Sequence, residues 1–225
     1  DVKKLARELI AYGADKVYVI EHDLLEQFLP MPYSKVITRL VGKYSPQMML
    51  FSATPLGREL GPRVAYASKS GLTADCTGLD IVDFKRGEKE RIGILMQTRP
   101  ALGGNIMASI ITQNSRVQMS TARPGVMKAI EPDKSRKGEI IEYKPEITKA
   151  DLGAEIISAE VRELTSEIKD AAILVCGGGG CKTKENYDKY VYPLVESVSK
   201  FLGPPALPAA SRVAVEAGFI DRSHQ

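Results

Sequence analysis

The chain contains no tryptophan, two histidines and three cysteines in 225 residues. Cys76, Cys176 and Cys181 are too few, and odd in number, to build a disulfide framework, which favours a reducing compartment. His22 and His224 are the only imidazoles, and Cys176 and Cys181 alone do not make a structural metal set. No apolar stretch approaches the ~20 residues of a membrane helix. The opening "DVKKLARELIAYGADKVYV" is charged and amphipathic, unlike a secretion signal. A surplus of one charge is missing too. The formal net charge is +3, and the basic residues are scattered without a basic block or interleaved aromatics, which argues against nucleic acid as a partner. The remaining composition, 44% hydrophobic and 26% charged, is that of a globular protein with room for one large domain or two small ones.

Periodicity predicts an alternation of helices and strands. Apolar residues at Val2, Leu5, Leu9 and Ile10 predict a helix over residues 2–12, stopped by Gly13. "KVYVI" (16–20) and "MMLFS" (48–52) read as strands, and residues 33–44 and 58–69 as helices, the first ended by Pro46. Residues 91–98, 105–112 and 116–121 read as successive strands of antiparallel character, separated by Gly and Pro. "EPDKSRKGE" (131–139) reads as a solvated loop and "KPEITKADLG" (144–153) as a linker. The rhythm then resumes, with a strand over 155–164, a short helix or turn over 166–170, a buried strand over 171–175 and a helix over 184–202. Thr183 is the N-cap expected for that last helix, and Tyr187, Tyr190, Val191, Leu194, Val195, Val198 and Phe201 form its apolar face. Residues 211–218 start a further helix. The expected fold is therefore α/β, with two Rossmann-like parallel-sheet units, residues 1–150 with an antiparallel extension and residues 151–225 as the second unit.

The stretch "ILVCGGGGCKTKEN" (173–186) invites a chemical reading. A loop between a buried strand and a helix start aims backbone N–H groups outward, and glycine lets that backbone approach an anion closely. Known fingerprints fit poorly. A phosphate loop needs Gly before its Lys-Thr pair, where Cys181 stands, and a dinucleotide motif counted from Gly177 and Gly179 needs Gly at Lys182. From spacing alone, a phosphate cradle and a ligand-free tight turn both remain open.

Further segments carry a resemblance. "KYSPQMMLFSATPLGRELGPRVA" (43–65), "GLTADCTGLDI" (71–81), "QTRPALGGNIMA" (97–108), "QMSTARPGVM" (118–127), "GGGGCKTKEN" (177–186) and "ASRVAVEAGF" (210–219) are, in this order, similar to the alpha subunit of electron transfer flavoproteins. The resemblance spans nearly the whole chain. It implies a heterodimer with a beta subunit, an N-terminal α/β domain that packs on that subunit, and a C-terminal domain that holds FAD. It also implies a role in relaying electrons between a flavin dehydrogenase and an acceptor. Some members carry a second FAD in the beta subunit and bifurcate electrons with NADH and ferredoxin. The setting implied is bacterial cytoplasm or the mitochondrial matrix, without membrane insertion.

Carried over position by position, Gly179 stands where the family usually has an arginine that assists FAD, and Ser211 and Arg212 match residues used at the flavin. The resemblance gives Ser211 a hydrogen-bonding role and Arg212 a charge beside the flavin ring. In the family Gln225 opens a further stretch of FAD-binding residues, and a first strand precedes the helix at Val2, so a partial chain is expected. "FLGPPALPAASR" (201–212) is longer and richer in proline than in the family. The segment 144–153 is expected to act as a polar hinge on which the FAD domain swings.

Other candidates have plain structural readings. "TADC" (73–76) reads as a turn stabilised by Asp75 beside a buried Cys76. Arg58 and Glu59 suggest a solvated pair. His22 lies at the end of a strand, where α/β proteins place sites, although a loop role is the ordinary one. Met48, Met49, Met96, Met107 and Met119 read as core. Gly103 and Gly104 fix a rigid loop, and Arg99 and Arg123, each before a proline, are expected to pair across the subunit interface. Two competing functions stay in view. One is a nucleotide-binding interaction module without redox work, and the other a hydrolase using Cys176 or Cys181.

Overall fold

The computed structural model describes residues 2–102, 105–159, 168 and 171–225. The chain divides into two compact units, residues 1–155 and 156–225.

The first unit opens with helix α1 (Val2–Ala11) and strand β1 (Lys16–Val19). Ala6 and Ile10 of α1 close on Val17 and Val19 of β1, a small core of their own. Strand β1 pairs in parallel with β8 (Glu139–Glu142), so the end of the stretch expected as a solvated loop is a strand instead. Its short, charged sequence gave no alternation to mark it. Helix α2 (Pro30–Tyr44) starts three residues earlier than expected, because Pro30 suits the first helical turn, and ends at Ser45 in the left-handed region (φ 46°).

Strand β2 (Met48–Ser52), helix α3 (Pro55–Ala67) and strand β3 (Leu72–Cys76) follow. Strand β7 (Gln118–Ala122) inserts between β2 and β3, parallel to both. The run expected to close an antiparallel group is thus the central strand of a parallel sheet, and its Gln118, Met119, Ser120 and Thr121 are all buried. Val41 of α2 and Val64 and Ala65 of α3 pack with Phe51, Val117 and Met119 to form the main core. Met119 is fully buried, whereas Met107 is 54% exposed and not core as expected.

The antiparallel extension is real but differently composed: β4 (Gly78–Arg86), β5 (Lys89–Ala101) and β6 (Ile106–Ile110) pair in sequence order. Gly103 and Gly104, with the rigid loop expected of them, lie outside the described residues.

Residues 144–153 are non-repetitive apart from a 3-10 turn at Lys149–Asp151. They do not hang free: Lys35 on α2 pairs with Asp151, and Arg39 with Glu146.

No strand occupies residues 155–159, where the second unit begins, and the rest of the strand expected there lies outside the described residues, as does the turn expected over 166–170 apart from Ile168. Strand β9 (Ile173–Gly177), helix α4 (Lys184–Leu202), strand β10 (Ala206–Ala210) and helix α5 (Arg212–Glu216) follow. Strands β9 and β10 are parallel, with Gly177 opposite Ala210, and α4 is the crossover between them. Strand β10, for which no strand was expected, lies in the proline-rich stretch. Tyr187 and Val191 of α4 are buried with Ala210, Ala214 and Phe219. The outer part of the predicted stripe is not: Tyr190 is 58% and Phe201 85% exposed.

Candidate functional site

The ends of β9 and β10 place the glycine turn beside Ser211. Beyond Gly177 the chain forms a 3-10 turn at Gly179–Cys181, held by Cys181 N–H donating to Gly178 O (3.0 Å) and Lys182 N–H to Gly179 O (3.1 Å). Thr183 N–H then donates to Cys181 O at 2.8 Å, an i to i+2 bond that closes a γ-turn about Lys182 at φ 65° and ψ −39°. Thr183 caps α4 as expected, accepting from Asn186 N–H at 3.2 Å, while Asn186 Nδ2 donates to Cys181 O at 3.0 Å. The turn is thereby fixed on its helix side. The N–H groups of Gly179 and Gly180 make no hydrogen bond to a carbonyl among the described residues, and both glycines are exposed.

The four glycines do different things. Gly177 is a packing glycine, because a Cβ there would meet Tyr187 Cε2 at 2.4 Å and Val191 Cγ2 at 2.9 Å. A Cβ on Gly178 would lie 3.5 Å from Ser211 Oγ, and one on Gly179 3.3 Å from Val213 Cγ1, so the turn and the start of α5 are neighbours. Gly180 has open space around it. Tyr187 donates its hydroxyl to Ala209 O at 2.8 Å, and burial pushes its phenol pKa up to about 12, which keeps that donor protonated.

The structure brings Gly179, Ser211 and Arg212 to one edge. Ser211 N–H donates to Gly177 O at 2.9 Å and its backbone begins α5, yet its exposed hydroxyl makes no capping hydrogen bond. Arg212 is 74% exposed and its Nε donates to Glu216 Oε1 at 2.7 Å. Free amides, a hydroxyl and a cation at the carboxyl ends of parallel strands can hydrogen-bond anionic oxygens. Cys176 is exposed, with its thiol 3.8 Å from Gly177 O, and His224 is taken by Pro208 O at 2.9 Å, so no thiol–imidazole pair forms here.

A second constellation, invisible in the sequence, sits at the carboxyl ends of β2, β7 and β3. Asp75 takes φ 62° where β3 breaks register with β7, and its N–H donates to Thr121 Oγ1 at 2.7 Å. Arg123 grips its carboxylate with Nε (3.1 Å) and Nη2 (2.6 Å), and Arg58 Nη2 adds a third bond at 3.2 Å. The Arg123 hydrogen bonds hold Asp75 below the usual carboxylate range, against burial, which acts upward; the charges of Arg58 and Arg99 add to the lowering. Arg58 reaches this point because α3 starts tightly on β2: a Cβ on Gly57 would fall 1.8 Å from Ser52 O, and Arg58 Nε donates to Ala53 O at 2.8 Å. The expected Arg58–Glu59 pair is absent, since Glu59 accepts from Arg63 Nε at 2.7 Å. "TADC" is the end of a strand rather than a free turn, with Cys76 buried and accepting from Ser120 Oγ at 3.0 Å. His22 precedes a 3-10 turn and accepts from Leu24 N–H at 3.1 Å, the loop role.

Parallel-sheet units whose polar groups gather at the carboxyl ends of their strands define the class, an α/β protein with strand-end sites. Residues 1–148 match the electron transfer flavoprotein domain family, and the chain belongs to that family. It is 43% identical to the electron transfer flavoprotein subunit alpha of Megasphaera elsdenii and 39% identical to that of Thermoanaerobacterium thermosaccharolyticum. Each alignment covers 100% of this chain and, respectively, 63% and 64% of the relative. It is also 34% identical, over 98% of its length, to the lactate dehydrogenase (NAD(+),ferredoxin) subunit LctC of Acetobacterium woodii, of which 49% is covered. The chain therefore spans less than two thirds of the length of these relatives. No helix among the described residues is long and apolar enough to cross a membrane.

Proposed function

We propose that this chain forms most of an electron transfer flavoprotein alpha subunit. In this reading residues 1–150 pack on a beta subunit and the second domain, from residue 151, seats FAD. The observation that carries the reading is the convergence of the glycine turn, Ser211 and Arg212 at the ends of β9 and β10. The Gly179 and Gly180 amides and the Ser211 hydroxyl would hydrogen-bond phosphate or ring oxygens, and Arg212 would supply positive charge. Flavin, when bound, supplies the electron-accepting and electron-donating chemistry. The chain contributes orientation and a local field, and no side-chain acid or base is required.

Electrons would come from a flavin dehydrogenase. The likeness to a lactate dehydrogenase subunit named with NAD(+) and ferredoxin supports a bifurcating complex as one form of the assembly. Of the two arginines proposed for the subunit interface, Arg123 is engaged by Asp75 within the chain, which leaves Arg99 as the better candidate. Its Nε is satisfied by Pro100 O at 3.2 Å.

The second reading, a nucleotide-binding module without redox work, draws on Gly179 in place of arginine and on the pairing of Arg212 with Glu216. One experiment separates the two. The full-length protein is produced with its beta partner and its flavin is counted. A yellow complex that bleaches on reduction supports the relay, with one FAD per heterodimer marking a simple carrier and two allowing bifurcation. A colourless complex that takes up no added FAD overturns it.

A further inference from the structure

Residues 144–153 carry three kinds of attachment to the first unit. Ile147 is 7% exposed. Lys35 and Arg39, one turn apart on α2, each take a carboxylate from the segment: Lys35 Nζ pairs with Asp151 Oδ1, and Arg39 Nη1 lies 3.6 Å from Glu146 Oε2 and also donates to the Glu146 carbonyl. Asp151 closes a capping box besides, its Oδ2 accepting from Thr148 N–H at 2.8 Å and from Thr148 Oγ1 at 3.2 Å. A Cβ on Gly153 (φ 68°) would lie 3.1 Å from Met31 Cγ, so the attachment continues to that point.

The two ion pairs are unequal. The Asp151 side chain is 18% exposed and works with the capping box, whereas the Glu146 side chain is 89% exposed. A solvated pair adds little, and a partly withdrawn one that also caps a turn adds more. Lys35–Asp151 is the lock and Arg39–Glu146 an accessory.

We propose that residues 144–153 are an ionic strap, latched to α2 through Lys35 and Asp151, whose release adds ten residues of free chain to the connection between the units. Latched, the strap is part of the first unit, and the connection to the second unit starts beyond Gly153. Released, ten residues add up to about 33–36 Å of extended reach. The latch is salt-sensitive because one of its charges stays partly solvated. It operates whether or not the second unit binds flavin.

The test uses the full-length protein and trypsin cleavage after Lys149, an exposed residue inside the capped turn. Expected results are slow cleavage at low salt, roughly five- to tenfold faster cleavage in Lys35→Met and in Asp151→Asn, and a change below about twofold in Glu146→Gln. Hydrogen exchange supplies the control: amides of 146–152 exchange faster in the first two variants while those of α2 keep the wild-type rate. Equal cleavage in wild type and both variants overturns the proposal. So does an equal rise in exchange across α2, which would mean general loosening.

Discussion

Gly177 and Tyr187 pack so closely that a methyl group on the glycine would fall 2.4 Å from Cε2 of the ring. Tyr187 cannot step aside, because it is fully buried and its hydroxyl is bound to Ala209 O. Gly177→Ala is therefore expected to destabilise the second unit by about 1–3 kcal/mol through overpacking. Thermal unfolding would show it as a lower Tm. An unchanged Tm would mean that α4 tilts freely on its sheet.

The same pair shows where the sequence was legible. Helix α4 was readable to the residue, because Thr183 caps it and its apolar period is regular. The glycine run was readable as a strand-to-helix turn but not as a division of labour, because nothing local tells a packing glycine from one that frees an amide. Strands β8 and β10 were missed because each is only four or five residues long and shows no alternation, so that pairing with β1 and β9 alone makes them strands. Ser211 and Arg212 came from resemblance, and their closeness to Gly178 and Gly179 only from the pairing of β9 with β10. The grip of Arg58 and Arg123 on Asp75 joins residues 17 and 48 positions apart, beyond any local pattern.

That grip makes a pH prediction. The folded-state pKa of Asp75 is depressed, chiefly by the Arg123 hydrogen bonds. A depressed carboxyl contributes stability above its unfolded pKa and loses it as pH falls through the folded one. Asp75→Asn keeps a residue that tolerates φ 62° and removes the charge. The variant is expected to be less stable by about 1–2 kcal/mol at neutral pH, with a margin steady above about pH 5 that closes below about pH 4. Urea unfolding across that range checks it, and a margin independent of pH would deny the ion pair any role in stability.

Lys182 holds the strained γ-turn between the 3-10 turn and α4. Glycine occupies φ 65° without a Cβ penalty, so Lys182→Gly is expected to leave the fold intact and, the backbone strain being relieved, to stabilise it by up to about 1 kcal/mol. The side chain is exposed, so little packing is lost. A loss of stability would show that the lysine, not the turn, anchors this corner.

Glu216 is the competitor for the cation proposed to meet the flavin. Its Oε1 takes Arg212 Nε at 2.7 Å, and both side chains are well exposed, so the pair itself is worth little to the fold. Glu216→Gln should leave Tm nearly unchanged. It also deletes a negative charge at an edge proposed to meet an anionic ligand, and frees Arg212 to turn. In the full-length protein with its beta partner, FAD is expected to bind about three- to tenfold more tightly, an advantage that shrinks as salt rises. Arg212→Gln is expected to weaken FAD binding by a similar factor, and by a larger one in the Glu216→Gln background, where the guanidinium is free to meet the ligand. If both substitutions leave the dissociation constant of FAD unmoved at low salt, the guanidinium plays no part in holding the flavin, and Ser211 with the glycine amides must hold it alone.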